Sequence, residues 1–341
     1  MKAIEITKPF EIKLTEQKKP APGNGEALLR VLYCGICGAD VASYTGNQPF
    51  TTYPRIPGHE FSAQIVEIPE NEKGFKPGDL VTCNPYFNCG KCYACRKGLV
   101  NACYDNRTMG VQRDGSFREY ITMPVERLIE SKGLSALQLA LIEPFSISAH
   151  ALSRAEVKPG CSMLIMGAGP IGLFALIRAK SMGARVLCAD LLESRLSLAE
   201  KYGAEMTVNC KTEDLAEKCA EFTGGQGFDV CVEACGAPET FLACIEHACH
   251  GANVILIGNG KRETTFVHSV ILKKELNVFG SRNAFTRDFE TLIDLVSSGK
   301  ADITDMVSGV YDADSAKQAF DSLAHNDGSI NKLLIRFSDP E

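Results

Sequence analysis

The sequence predicts an α/β protein of two domains, one of them built on a doubly wound parallel sheet. Three observations carry this expectation. At 341 residues the chain is long enough for two domains with substantial cores. From about residue 160 onward, short apolar runs alternate with helical stretches, the signature of parallel strands joined by crossover helices. Between the first such run and its helix stands Gly167-Ala-Gly-Pro-Ile-Gly172, a glycine-rich turn at a strand–helix junction.

Taken in order, Cys161–Met166 reads as a strand, and the glycine turn opens a helix that runs to about Met182. Arg185–Ala189 is the next strand, ended by Asp190. Phe228–Glu233, Asn253–Ile257 and Leu276–Phe279 read as later strands of the same sheet. The spacing Gly-x-Gly-x-x-Gly with an acid eighteen residues past the third glycine suits a dinucleotide. Gly167 permits the tight turn, Gly169 lets the backbone approach a pyrophosphate, and Gly172 allows close packing of helix on strand. Pro170 and Ile171 complete the loop at a helix N-terminus, which attracts phosphate charge. Asp190 is expected to bind the adenosine ribose hydroxyls and to repel a 2′-phosphate, favouring NAD over NADP; the competing reading is a plain strand-end acid. Arg195 lies nearby among the cofactor-side candidates, although as a lone basic residue it reads as a solvated helix side chain.

Composition narrows the remaining classes. Apolar residues at 45% and charged residues at 23% are those of a folded globular chain, not a disordered one. A net charge of −6 argues against a broad nucleic-acid surface. The apolar stretch Cys161–Ile177 is too short to span a bilayer and is broken by its glycines, so no membrane association is expected. The N-terminus, MKAIEITKPF, has no apolar signal core, which suggests a cytoplasmic protein.

The fifteen cysteines are unevenly spread. Those standing singly in apolar runs, such as Cys188 and Cys231, read as small packed hydrophobes. Cys89, Cys92, Cys95 and Cys103 instead crowd into fifteen residues, with Gly90, Gly98, Asn84-Pro85 and Asn88 supplying turns. Four thiols so spaced suit a tetrahedral zinc, the alternative being a reducible disulfide pair or redox switch. A four-thiolate zinc is coordinatively closed and therefore structural.

A second group is sparser. Gly35-Ile36-Cys37-Gly38-Ala39-Asp40 and Gly58-His59-Glu60 lie some twenty residues apart, and Glu143-Pro144-Phe145 ends an apolar helical run. Cys, His and a carboxylate form the mixed donor set of catalytic zinc. Cys34 and Cys37 also form a C-x-x-C, which leaves a thiol redox pair as a rival. Pro144 is expected to bend the chain, and a buried Glu143 would need a partner such as a metal.

Together GICGAD, GHE, the four-cysteine lobe, DGSFREY, IEPFSISAHA, GAGPIG and GSRNA occur in the order seen in medium-chain zinc-dependent alcohol dehydrogenases. The resemblance covers essentially the whole chain. It is nearest to the polyol and sugar-acid branch, with NQPF, YPR, IEPFSISAHA and GSRNA similar to the L-galactonate oxidoreductase and starvation-sensing-protein group. The resemblance implies a GroES-like, strand-rich catalytic domain over residues 1–145, carrying the structural zinc lobe at 84–104. A Rossmann NAD-binding domain would then cover 146–280, and residues 281–341 would return to the catalytic domain, with the active site in the cleft between the two.

It further implies one catalytic and one structural zinc per chain. Cys37 and His59 would ligate the catalytic ion, with Glu60 and Glu143 as acidic candidates, and which carboxylate binds directly stays open. The relay hydroxyl and histidine usual in the family are replaced by Ala39 and Ala42, so Glu60 or Glu143 is expected to take the proton, by way of water. Ala63 replaces a usual glycine, a packing change.

The expected substrate is a secondary alcohol of a polyol or aldonic acid such as L-galactonate. Arg55, Arg113, Arg118 and Arg282 are candidates for its carboxylate, each also readable as a surface salt-bridge partner, and Arg282-Asn283 is a candidate for the nicotinamide or substrate end of the cleft. L-threonine or sorbitol-type oxidation, and a zinc- and NAD-binding regulator with little turnover, are the alternatives. Leu276–Phe279 would pair with its mate in a homodimer or homotetramer.

Overall fold

The computed structural model describes residues 1–338. The chain divides into two compact units, Met1–Pro144 with Ala284 onward, and Phe145–Asn283. In the first, β1 (Lys2–Lys8), β2 (Glu11–Glu16) and β3 (Glu26–Gly35) lead to a short helix α1 (Gly38–Tyr44). After a loop come β4 (Glu60–Glu67), β5 (Leu80–Cys83), β6 (Tyr86–Phe87), a one-turn helix α2 (Tyr93–Arg96) and β7 (Arg107–Thr108). Then follow β8 (Tyr120–Pro124), β9 (Leu128–Glu130) and α3 (Ala136–Ala140), and α4 (Ile142–Leu152) begins in this unit and runs on into the second.

The second unit continues with β10 (Ser162–Met166), α5 (Pro170–Ser181), β11 (Arg185–Asp190), α6 (Glu193–Lys201) and β12 (Met206–Asn209). It is completed by α7 (Leu215–Thr223), β13 (Phe228–Glu233), α8 (Pro238–His247), β14 (Ala248–Leu256), α9 (Ser269–Lys274) and β15 (Asn277–Gly280). The chain then returns to the first unit through α10 (Thr286–Ser297), β16 (Val307–Asp312), α11 (Ala316–Ala324) and β17 (Lys332–Arg336).

The six strands of the second unit run parallel in the order β12-β11-β10-β13-β14-β15. Strands such as Ser162–Met166 are apolar on both faces because helices cover both sides of a parallel sheet. Leu164, Leu187, Val208, Phe228, Cys231 and Val254 form its core, each burial stabilising the unit by about 1.5–3 kcal/mol. The edge strand β15 is exposed over three of its four residues.

In the first unit, a seven-stranded sheet orders its strands β16-β17-β3-β4-β5-β9, with β8 also on β3. Ile4, Leu29, Val31, Phe61, Phe117 and Phe320 fill the core against it. What matters for the site is local. β3 lies between β17 and β4, antiparallel to both, so the end of β3 meets the start of β4 and the start of β17.

One expectation needs correcting. Glu143 does not end a helix: α3 stops at Ala140, and Glu143 and Pro144 lie in the first turn of α4. Proline fits there because the first helical turn has no intrahelical acceptor for its missing N–H. Pro144 therefore opens the second helix where the sequence suggested it closed the first, and it fixes the direction from which Glu143 enters.

Candidate functional site

The strand ends assemble one cluster. Cys37 immediately precedes α1, and Asp40, three residues on, accepts the Cys37 N–H at 2.9 Å. The other Asp40 oxygen accepts the Gly58 N–H at 3.1 Å, so one buried carboxylate ties the Cys37 turn to the His59 loop. Glu60 begins β4 opposite Gly35 of β3. A Cβ at residue 35 would fall 2.3 Å from Glu60 Oε2, so only glycine leaves this carboxylate room.

The donor atoms of Cys37, His59 and Glu60 lie within 4.8 Å of one another. A tetrahedral zinc with bonds of about 2.0–2.3 Å spaces its ligands roughly 3.3–3.8 Å apart, so small side-chain adjustments close the set around an ion. His59 Nδ1 is buried without a hydrogen-bond partner, whereas Glu60 Oε2 faces the Lys332 ammonium at 2.6 Å. A thiol, an imidazole and a carboxylate gathered in one buried group are a donor set that fits a cation. Burial pushes the Cys37 thiol up, with Glu60 adding to the rise. For His59, burial opposes protonation, but the Cys37 and Asp40 charges outweigh it and raise the imidazole well above its ordinary value. Its Nδ1 stands 4.0 Å from Asp40.

Two residues that sequence reasoning missed complete the cluster. Lys332, the first residue of β17, is 4% exposed, and its Nζ lies 2.6 Å from the Glu60 carboxylate, itself 1% exposed. Burial would lower the lysine, but Glu60 and Cys37 carry it above its ordinary value. Tyr86 of β6 is buried, and its hydroxyl donates to Glu143 Oε1. Burial lifts Glu143 to about 7, with Glu60 adding to the rise and His59 opposing it. Glu143 thus belongs to the same electrostatic neighbourhood but stands outside the Cys37–His59–Glu60 donor group.

The cysteine lobe forms a second group. Cys92 Sγ is 3.5 Å from Cys95 Sγ and 3.9 Å from Cys103 Sγ, and all four sulfurs, including Cys89, fall within 4.8 Å of one another. A disulfide needs about 2.05 Å, whereas thiolates about 2.3 Å from one zinc sit roughly 3.8 Å apart. The backbone N–H groups of Cys95 and Tyr104 bring Cys92 down to about 6. Burial takes Cys103 up to about 12.

In the second unit, Gly167–Gly172 turns from β10 into α5, with Pro170 as the first helical residue after Gly169. A Cβ at residue 172 would lie 1.8 Å from the Gly167 carbonyl oxygen, which makes glycine obligatory. Asp190 Oδ2 accepts the Ala168 N–H at 2.7 Å, while Oδ1 accepts from Leu191 and Leu192. The acid at the end of β11 therefore also braces the glycine turn. The Ser148 hydroxyl donates to the Ile171 carbonyl at 2.8 Å.

Arg195 is not a solvated side chain: its Nη1 is 3.6 Å from Asp190 Oδ2, and its guanidinium lies beside Gly169. The pairing arises because α6 starts three residues after β11 and turns Arg195 back over the strand end. Arg282 and Asn283 follow β15, Arg282 exposed and Asn283 left-handed at φ 51°. Parallel strands put them at the same end of the sheet as the glycine turn, three strands away, or about 14 Å. Of the other arginines, Arg55 is bonded to Asp114 and Thr52, and Arg113 lies 3.7 Å over the Phe87 ring. No helix among the described residues is long and apolar enough to cross a membrane.

Comparison with known proteins adds to this geometry. Residues 170–298 match the zinc-binding dehydrogenase family and residues 23–133 the alcohol dehydrogenase GroES-like domain. L-galactonate-5-dehydrogenase of Escherichia coli K12 is 34% identical over 99% of both chains. L-threonine 3-dehydrogenase of Pyrococcus furiosus is 33% identical over 94% of each. A solved alcohol dehydrogenase from E. coli CFT073, complexed with NADH, superposes with a TM-score of 0.92 at 29% identity, covering 99% of each chain.

Proposed function

Because this chain belongs to the zinc-dependent alcohol dehydrogenase family, we propose that it oxidises a secondary alcohol of a sugar acid or polyol, of the L-galactonate kind, with NAD as hydride acceptor. The observation that carries the reading is the convergence of Cys37, His59 and Glu60 within 4.8 Å in a chain that also holds the glycine turn and Asp190.

In this reading Cys37, His59 and Glu60 hold the catalytic zinc, and Cys89, Cys92, Cys95 and Cys103 the structural one. Zinc at the first site supplies Lewis acidity to a substrate hydroxyl, and the nicotinamide chemistry belongs to the cofactor. The chain does the rest. The Asp40 carboxylate, 4.0 Å from His59 Nδ1, adds negative charge beside the imidazole, and Lys332 balances the charge of Glu60. With alanine at 39 and 42, neither a hydroxyl nor an imidazole carries the proton away at those positions. Glu143, whose carboxyl burial raises, is the acid beside the site that would take up a proton by way of water. Asp190, with Arg195 beside it, would hold the adenosine ribose of the dinucleotide.

A panel of aldonic acids, polyols and L-threonine with NAD or NADP, read by absorbance of the reduced cofactor, tests this reading. Turnover is expected on a sugar acid or polyol with NAD. Turnover on L-threonine alone transfers the chain to the threonine branch, for which the P. furiosus relative speaks. No turnover across the panel, with zinc and NAD both bound, makes it a regulator.

Asp190→Ala is expected to raise the KM for NAD at least about tenfold and to narrow the preference over NADP. The variant removes both the ribose acceptor and the Ala168 brace. An unchanged KM and preference would remove Asp190 from cofactor recognition.

A further inference from the structure

Glu233, the last residue of β13, is a buried carboxylate with no part in the chemistry described above. Its Oε1 accepts three hydrogen bonds: from the Cys235 N–H at 2.8 Å, the Gly236 N–H at 2.8 Å and the Thr240 hydroxyl at 2.7 Å. All three donors are neutral, and all belong to the turn from β13 into α8 or to the first turn of that helix. The Glu233 main-chain carbonyl accepts the N–H groups of Ile257 and Gly258, at 2.9 and 3.0 Å, just past the end of β14. Burying a carboxylate is costly unless its lone pairs find donors. Here one oxygen draws all its donors from a single turn.

The place of that turn in the sheet gives it significance. The chain passes from β10 outward to β11 and β12, then returns to β13 on the other side of β10, so the strand order reverses between β10 and β13. In doubly wound sheets a dinucleotide lies across the crevice at such a switch point, with one mononucleotide on each half. Asp190 ends β11 on the adenosine half, and Glu233 ends the first strand of the other half. The turn it holds reaches back to the glycine turn, because the Ala234 N–H and the Cys235 thiol donate to the Met166 carbonyl at 3.0 and 3.3 Å. A Cβ at residue 167 would fall 2.5 Å from Cys235 Sγ. On its other side the turn packs on the loop after β14, where a Cβ at residue 258 would fall 2.1 Å from the Gly236 nitrogen. The ends of three adjacent strands are thus spaced by one turn, and Glu233 fixes that turn.

We propose that Glu233 is a positioning residue for the nicotinamide half of the dinucleotide, acting through the Cys235–Gly236 turn that it holds between the glycine turn and the loop after β14. The inference rests on the NAD-dependent reading and adds to it the residue that shapes the second half of the cofactor site. Glu233 does not itself meet the cofactor. Its oxygen takes up the N–H groups of the turn and so sets where that stretch of backbone stands. Without an acceptor there, Cys235, Gly236 and Thr240 lose their common anchor and the wall of the crevice shifts on the nicotinamide side alone.

The test compares Glu233→Gln and Glu233→Ala in the full-length chain by equilibrium binding of NADH, read by its fluorescence, and of AMP, read by calorimetry. AMP reports the adenosine half alone. Glu233→Gln keeps a carbonyl oxygen for the three donors and is expected to bind both ligands within about twofold of the wild type. Glu233→Ala removes the acceptor and is expected to weaken NADH about tenfold while AMP stays within about twofold. A carboxylate serving only the fold would leave both ligands unchanged, or weaken both alike as the unit loosens. Either result overturns the proposal while leaving the dehydrogenase reading intact, as does Glu233→Gln binding NADH as weakly as Glu233→Ala. Should Glu233→Ala fail to fold by circular dichroism, Thr240→Val removes one donor at nearly constant shape. It is expected to weaken NADH about threefold with AMP unchanged, and wild-type NADH binding there overturns the proposal. A wild-type chain that binds neither NADH nor AMP overturns the NAD-dependent reading, and the role of Glu233 with it.

Discussion

Cys92→Ser removes the structural zinc and opens the segment Cys89–Cys103, while the two sheets stay folded. The expectation follows from what the lobe lacks. No side chain from residue 87 to residue 100 is buried, and α2 is a single turn of four residues with no buried face. A lone helical turn does not persist in water, because nucleation fixes several residues for one hydrogen bond. What remains to hold the lobe is the convergence of four sulfurs, with backbone N–H groups of Cys89 and Cys92 donating to Cys103 and Cys89 Sγ.

Zinc binding at such a site is folding free energy, of the order of 10 kcal/mol or more in small zinc modules. Losing one thiolate should therefore bring the cost of local opening close to zero. Lys91, Arg96 and Lys97 lie exposed in the lobe, so trypsin reads the opening directly. Cleavage there is expected to accelerate at least about a thousandfold, since proteolysis of a transiently opened segment tracks its open population. Zinc content should fall by one ion per chain, with circular dichroism nearly unchanged. Turnover should fall as well, because the base of the lobe connects to the candidate site: Arg127 bonds both Asn88 and the Tyr86 carbonyl. Retained zinc or a protected lobe would show that the lobe is held by something other than metal.

This lobe was readable in the sequence because all its ligands lie within fifteen residues. The glycine turn was readable for the same reason, since its turn, approach and packing requirements fall at fixed short offsets. Cys37, His59 and Glu60 were readable only as fragments, and it is the antiparallel pairing of β3 with β4 that joins them. Lys332 was not readable at all. It is 272 residues from Glu60, and at the head of Lys-Leu-Leu-Ile-Arg it looks like an ordinary strand flank. Tyr86, 57 residues from Glu143, follows Asn84-Pro85 and looks like part of a turn. Pro144 misled because a proline after an apolar helical run reads as a stop, and only the backbone shows it opening the next helix. Arg195 misled because its partner is set by the angle between β11 and α6, which no local pattern encodes. Local chemistry is legible in sequence, whereas charge pairs across a sheet need the register.

That buried pair supports the second large effect. In the zinc-free chain, Lys332→Met is expected to lower stability by about 3–5 kcal/mol, because it leaves Glu60 as a buried carboxylate without its counter-charge. For a unit of this size the loss corresponds to a melting temperature lower by roughly 6–20 °C. Lys332 is raised above its ordinary value, so its contribution is fully present below the unfolded lysine value of about 10.4 and is lost only as pH rises through the higher folded value. The penalty should therefore be flat between about pH 6 and 9, which separates it from any effect of a histidine.

Turnover should fall at least about a hundredfold, since an unbalanced Glu60 is free to alter both the charge and the geometry of the metal group. The decisive comparison is Lys332→Met with Glu60→Gln. Removing both charges together takes away the cost of an unpaired ion, so most of the lost stability should return. Activity should not return with it, because the carboxylate that completes the donor group is gone. If the double variant is as unstable as Lys332→Met alone, the lysine contributes through packing of its stem in β17. If Lys332→Met melts with the wild type, the 2.6 Å pair contributes nothing net to the fold. Recovery of stability without recovery of turnover is the result that assigns Lys332 to the charge balance of the metal group.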